Sequence, residues 1–200
     1  MAIQAALDLL DEGGIDGLSM RKLAERLGVQ PPSLYWHFAS KQELVDEVAN
    51  ALVASVATSE GAVTNLEDLA QQLRSALLAH RDGGRVFAGT FAARPHVLRI
   101  AETALQQLLA SGVAEDTAID TTFNLIYYVL GFVIEEQSFH QQWDGESPSS
   151  IRAKFAEVAS SGTFPALNRS LDALSAPDLE RRFASGVRLL LAEVDAGQSD

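Results

Sequence analysis

Between Leu18 and Lys41 the chain carries side chains suited to gripping a nucleic-acid backbone. Ser33 and Tyr35 offer hydroxyls to phosphate oxygens, His37 offers a ring nitrogen, and Trp36 offers flat apolar area. Arg21, Lys22 and Arg26 supply a local positive cluster. Lys41 falls in the first turn of a predicted helix, where the dipole favours an anion. A phosphate lying opposite would offset that small cost. Tyr35, Trp36, His37 and Phe38 are consecutive, and at about 100° per helical residue they cannot all face inward. Leu34 and Phe38, four apart, take the inner side, which leaves Tyr35 and Trp36 for a partner. A plain set of core aromatics does not account for that arrangement.

Other chemistry finds little support. The chain has no cysteine, which removes disulfides, thiolate zinc sites and thiol nucleophiles together. His80, His96 and His140 have no ligand-type partner four residues on within the same predicted helix, so no metal is expected. Glu135 and Glu136 are adjacent and diverge on a helix, so they form no acid–base pair. No phosphate-binding glycine loop or nucleophile elbow is present. Neither an enzyme nor a cofactor is expected.

The elements that position the Tyr-Trp-His run follow from local signals. Ser19 is placed as an N-cap, with Leu18 and Leu23 as a hydrophobic staple. Met20, Leu23, Ala24 and Leu27 share one face of a short helix that Gly28 should end in the left-handed conformation. Pro31 and Pro32 open the next helix. Two short amphipathic helices joined by the Gly28-Val29-Gln30 turn make a helix-turn-helix. Leu23, Ala24, Leu27, Val29 and Leu34 are its expected core. A first helix carries Ile3, Ala6, Leu7 and Leu10 and stops at Gly13-Gly14. Ser40 and Glu43 form a capping box for a fourth.

Strand signals are poor, and the rest reads as helical. After a polar stretch from Thr58 to Asn65, one helix is predicted from Leu66 to Arg81, ended by Asp82-Gly83-Gly84. A short segment covers Val86 to Phe91. Further helices are predicted from Arg94-Pro95 to Ser111-Gly112, from Glu115 to Gln142, and from Ser150 to Ala159. Phe164-Pro165 opens another with Leu167, Leu171 and Leu174, and the last spans Asp178 to Val194. The predicted class is all-α.

The 200 residues are 47% hydrophobic, enough for a sizeable core. The net charge of −12 argues against nonspecific attraction to nucleic acid or anionic membrane, though not against a local basic patch. The most apolar stretch, Thr121 to Ile134, holds Asn124 and is closed by Glu135-Glu136, so no membrane span is expected. No basic start precedes an apolar stretch at the N-terminus, and a cytoplasmic protein is expected.

Ile15-Asp16-Gly17-Leu18-Ser19-Met20-Arg21-Lys22-Leu23-Ala24 and Leu34-Tyr35-Trp36-His37-Phe38 resemble the TetR family of one-component bacterial regulators. His80-Arg81-Asp82-Gly83-Gly84-Arg85-Val86, Gly89-Thr90 and Leu130 through Gln137 are similar to its tetracycline-repressor branch. The resemblance implies a homodimer. Residues 1–47 would form a three-helix helix-turn-helix DNA-binding domain. Residues 48–200 would form a larger C-terminal helical domain for effector binding and dimerisation. It places Ser19, Met20, Arg21, Lys22, Pro32, Ser33, Tyr35, Trp36, His37 and Lys41 at or beside DNA-contacting positions. Pro31 stands where the branch has a base-reading glutamine; with no side-chain donor there, a different operator is expected, and Gln30 could substitute. The resemblance also implies a basic arm before the first helix, which either lies outside this sequence or is absent.

In the same comparison the polar groups that hold a magnesium–drug chelate become Ala57, Leu69 and Phe87, and Phe91 replaces an arginine, while Thr90 is kept. An apolar pocket follows, formed by Leu69, Leu73, Phe87, Thr90, Phe91, Phe123, Tyr127, Leu167, Leu171 and Leu174. The expected partners are double-stranded operator DNA, a hydrophobic or aromatic small-molecule effector and a second copy of the chain. The Thr117–Gln142 helix and the last helix would make the dimer interface. The reading is a repressor that releases a palindromic operator on effector binding. A helical small-molecule-binding protein, or an activator, is the alternative.

Overall fold

The computed structural model describes residues 1–58, 63–90, 93–159 and 163–196. Every regular element among them is helical. The N-terminal unit comprises α1 (Ala2–Gly17), α2 (Met20–Leu27), α3 (Pro31–Leu34) and α4 (Lys41–Leu52). α1 breaks where the sequence predicts, at Gly14 with φ 64° and ψ −170°. α4 then packs on α1 on one side and on two later helices, α6 (Gly83–Ala88) and α7 (Pro95–Ala110), on the other. It therefore belongs mechanically to both halves.

α5 (Leu66–Leu78) starts at Asn65, whose side chain accepts from the Asp68 N–H at 2.8 Å, with Glu67 and Asp68 favourably placed in the first turn. It is shorter than predicted. Asp82-Gly83-Gly84 does not end α5 but opens α6, and the reason is packing. A Cβ on Gly83 would lie 2.2 Å from the Leu77 carbonyl oxygen, and one on Gly84 would lie 2.9 Å from Val133 Cγ1. These glycines permit close approach rather than punctuate a helix.

The remaining elements are α8 (Glu115–Gln142), α9 (Pro148–Ala159), α10 (Pro165–Arg169), α11 (Leu171–Ser175) and α12 (Leu179–Ala196). The single helix predicted after Phe164 is two short ones, parted at Ser170 with φ −104° and ψ 9°. α8 is the spine, touching α5, α6, α7 and α12. Ala118, Thr122, Leu125, Val129, Val133 and Glu136 form its buried stripe at steps of three and four. By length and composition α8 could cross a membrane, contrary to the expectation from sequence. Its apolar stripe instead covers neighbouring helices, and Glu136 on that stripe is paired with Arg74 of α5.

Candidate nucleic-acid interface and ligand-binding core

The helix-turn-helix is assembled from local bonds. Ser19 Oγ accepts the Lys22 N–H at 3.3 Å and starts α2. Gly28 takes φ 68°, and the Val29 N–H reaches back to the Ala24 carbonyl at 3.0 Å, which closes the helix end. Gln30 then enters α3, with the Ser33 N–H donating to its carbonyl at 2.9 Å. Met20, Leu23, Ala24, Leu34 and Phe38 are buried together with Leu10 and Leu44. Each large apolar side chain among them contributes about 1.5–3 kcal/mol on burial.

That core pushes the rest outward. Tyr35, Trp36 and His37 are exposed, Trp36 to 89%. They follow α3 rather than continue it: α3 has four residues, and the His37 and Phe38 N–H groups both return to the Leu34 carbonyl, at 2.9 and 2.8 Å. The outward display therefore comes from a tight turn anchored by Leu34 and Phe38, not from helical phase. Arg21, Lys22, Gln30, Pro32, Ser33 and Lys41 are exposed on the same unit; Ser19 and Pro31 are half-buried.

Two expectations need correction. Met20 is buried, because it lies on the α2 face that carries Leu23 and Ala24, so its side chain is not free to reach DNA. The positive cluster is also partly neutralised. Arg26 Nη2 meets Glu12 Oε2 at 2.5 Å, a hydrogen bond that holds its guanidinium above the ordinary value, and Arg21 Nε lies 3.4 Å from Glu25. Lys22 and Lys41 form no salt bridge among the described residues. At the head of α4, Ser40 Oγ accepts the Glu43 N–H at 3.1 Å, and Glu43 reaches back to the Ala39 N–H at 2.6 Å. The capping box forms one residue out of its usual register.

The predicted effector residues do not converge on one cavity. Leu69, Leu73 and Phe87 are buried in the main core. Thr90 is half-buried, with its hydroxyl donating to the Phe87 carbonyl at 2.8 Å. Phe123 and Tyr127 lie on the open side of α8, one turn apart, with ring centroids 6.0 Å from each other. The stripe facing the core is Thr122, Leu125 and Val129 instead. Leu171 is buried, Leu174 half-buried and Leu167 exposed, all in the α9–α11 layer. Phe91 lies outside the described residues. Tyr127 and Leu174 do border one groove of about 840 Å³, along with Phe132, Phe139, Trp143 and Phe155.

Two polar systems escaped the sequence reading. Arg74 of α5 pairs with Glu136 of α8 and Glu180 of α12, and its guanidinium carbon stacks 4.8 Å from the Phe183 ring. The second joins the halves of the chain. Asp82 Oδ2 accepts the Ile15 N–H at 3.0 Å, beside the Gly14 break. Asp11 meets His80 Nδ1 and the Arg81 N–H, each at 3.0 Å. Gln137 of α8 donates to the His80 carbonyl at 2.8 Å. On the far side of α4, Arg94 lies 3.0 Å from Glu47, and Asn50 accepts the His96 N–H at 2.9 Å.

Two family models match the short-helix N-terminal unit and the larger helical part of this chain. The model for bacterial regulatory proteins of the tetR family matches residues 2–48, and that for the tetracyclin repressor-like C-terminal domain matches residues 58–196. The chain belongs to the TetR family. Its TetR relatives include the class A tetracycline repressor protein from transposon 1721 of Escherichia coli. That protein is 37% identical over 94% of this chain and 86% of its own length. A possible TetR family transcriptional regulator from Streptomyces coelicolor A3(2) superposes with a TM-score of 0.85 at 38% identity, covering 98% of this chain and 97% of that one. The S. coelicolor TetR family protein ActR, solved in complex with actinorhodin, gives a TM-score of 0.83 at 26% identity, covering 100% and 97%. As a TetR family member with both domains, the protein is a ligand-responsive transcriptional regulator.

Proposed function

We propose that this regulator is a homodimeric repressor that binds a palindromic operator and releases it when an apolar, aromatic effector enters the C-terminal domain. The exposed Tyr35-Trp36-His37 ridge on its buried Leu34 and Phe38 footing carries the DNA half of this reading. Tyr35, Trp36, His37, Ser33, Lys22 and Lys41 are the proposed contacts, with Ser19, Arg21, Gln30, Pro31 and Pro32 flanking them. The reader is residues 1–47 and the effector and dimerisation domain residues 48–200, with α4 spanning the division.

Dimerisation is supported by the apolar side chains left open on α8 and α12. Phe123, Tyr127 and Leu189 are exposed, the last to 74%. Two copies of α8 and α12 would cover them in a four-helix bundle. The twofold axis would set the two readers about 34 Å apart, one turn of DNA. Leu69, Leu73 and Phe87 in the core and Leu174 in the α9–α11 layer are apolar where the structure places them, which supports an apolar ligand. Catalysis is not part of this reading, and the protein is proposed to act in the cytoplasm.

The experiment is a gel shift on DNA upstream of the protein's own coding sequence, with and without small aromatic compounds. Tyr35→Ala and Lys41→Ala should each weaken binding about tenfold or more while the dimer sediments unchanged. Normal binding by both variants would remove the assignment of this ridge to DNA.

A further inference from the structure

Thr122 lies at the centre of the buried stripe of α8, fully enclosed, and its hydroxyl makes no hydrogen bond. Among the described residues it is the only buried side-chain nitrogen or oxygen in that condition. The absence is not forced by its helix. A helical hydroxyl ordinarily donates to the carbonyl four residues back. Thr103, Ser111, Ser138 and Ser175 all do so here. The Thr122 hydroxyl is buried without making that bond.

The surroundings are small and apolar. Ala118, Leu125 and Val129 are its neighbours along the stripe. α7 and α8 pack as an antiparallel hairpin joined through residues 111–114. Ala104, six residues before the end of α7, is therefore level with Thr122, seven residues after the start of α8. Ala104 and Thr122 are both buried, and two small side chains at one level leave a ring more room to enter than two large ones would. Leu69 and Leu73, two of the expected effector residues, lie on α5 in the core that this stripe of α8 covers.

We propose that Thr122 is the polar anchor of the effector site and that the effector is an apolar ring system bearing a carbonyl oxygen, which the Thr122 hydroxyl meets as donor. A carbonyl matches the single hydroxyl donor and brings no unpaired proton into an apolar enclosure. A ligand amine or hydroxyl would bring one. This inference rests on the apolar-effector reading above and narrows its chemistry.

The test uses matched pairs that differ in the carbonyl alone: 1-tetralone with tetralin, 9-fluorenone with fluorene, and benzanthrone with benzanthrene. Binding to the full chain is measured by calorimetry for the wild type, Thr122→Val and Thr122→Ser. In at least one pair the wild type should bind the ketone about tenfold or more tightly than the hydrocarbon. Thr122→Val should bind both alike, and Thr122→Ser should keep the preference. Thr122→Val should also melt no lower than the wild type, because it replaces an unpaired hydroxyl with a methyl of the same shape. Equal binding of ketone and hydrocarbon by the wild type, or a preference that survives in Thr122→Val, overturns the anchor while leaving an apolar effector site standing. A Thr122→Val protein that melts lower or fails to fold shows a structural partner for the hydroxyl and also overturns it. Failure of the wild type to bind any of the six compounds removes the apolar-effector reading and the anchor with it.

Discussion

Arg74 Nε and Nη2 donate to the two carboxylate oxygens of Glu136 at 2.9 and 2.7 Å, a bidentate pair between α5 and α8 with both side chains 6% exposed. Hydrogen bonding to Glu136 holds the guanidinium far above its ordinary value against the opposing effect of burial, so it stays charged at any usable pH. Glu180 of α12 completes the site, which pins three helices at one point.

Removing one partner is therefore expected to cost more than removing both. Arg74→Ala should destabilise by about 3–5 kcal/mol, because it leaves Glu136 buried and unpaired. The double change Arg74→Met with Glu136→Leu should recover most of that loss. Denaturant midpoints of the three proteins check this. A double variant as unstable as the single one would mean that the pair itself, not the stranded charge, carries the energy.

The contact between α8 and α12 depends on Gly186. A Cβ there would lie 2.0 Å from Tyr128 Oη, which donates to the Phe183 carbonyl at 3.1 Å. Gly186→Ala should cost about 1–3 kcal/mol by displacing that ring. Gly28 is the contrasting case: a Cβ there meets nothing within 4 Å, but φ is 68°, so Gly28→Ala should cost about 1 kcal/mol through backbone strain alone and Gly28→Asn less. Thermal melts of the three variants separate crowding from strain.

Tyr128 also predicts a response to base. Burial raises its phenol above the ordinary value of 10.0, against a smaller lowering by Arg74. The folded state therefore favours the protonated phenol. Its contribution is complete below pH 10 and falls as pH rises toward the folded value, because the unfolded chain ionises first. Unfolding between pH 10 and 11 should be steeper for the wild type than for Tyr128→Phe. Parallel curves would show that the phenol does not titrate in that range.

Asp82 should govern how firmly the two halves are joined. Asp82→Ala removes the acceptor for the Ile15 N–H and forces an alanine to φ 55°, so it should destabilise by about 1–3 kcal/mol. Asp82→Asn keeps an acceptor oxygen and a residue tolerant of that φ, and should lose less. Hydrogen exchange at Ile15 is the direct readout: Asp82→Ala should raise it selectively, and an unchanged rate would remove the tie.

On the reader, Trp36→Ala should change stability by less than about 0.5 kcal/mol, whereas Leu34→Ala should cost about 2–5 kcal/mol. Both should lose operator binding, one by losing a contact and the other by losing the fold beneath it. A Trp36→Ala protein with full affinity would leave the indole without a role.

The sequence by itself determined the local devices of the DNA reader: the Ser19 cap, the left-handed Gly28, the entry at Pro31 and the inward pair Leu34 and Phe38. Each depends on backbone preferences and contacts within a few residues, which neighbouring letters specify. The extent of α8 was equally legible, since the helix predicted from Glu115 to Gln142 has the same bounds in the structure. Only the tertiary structure decided matters that need two distant segments in contact. It turned Gly83 and Gly84 from a stop into a close approach, chose Thr122 over Phe123 and Tyr127 to face the core, and buried Arg74 against a glutamate 62 residues later. A stripe of leucines and aromatics does not state which helix will cover it, because hydrophobic burial has no direction of its own. The partner is set by how the helices close around one another.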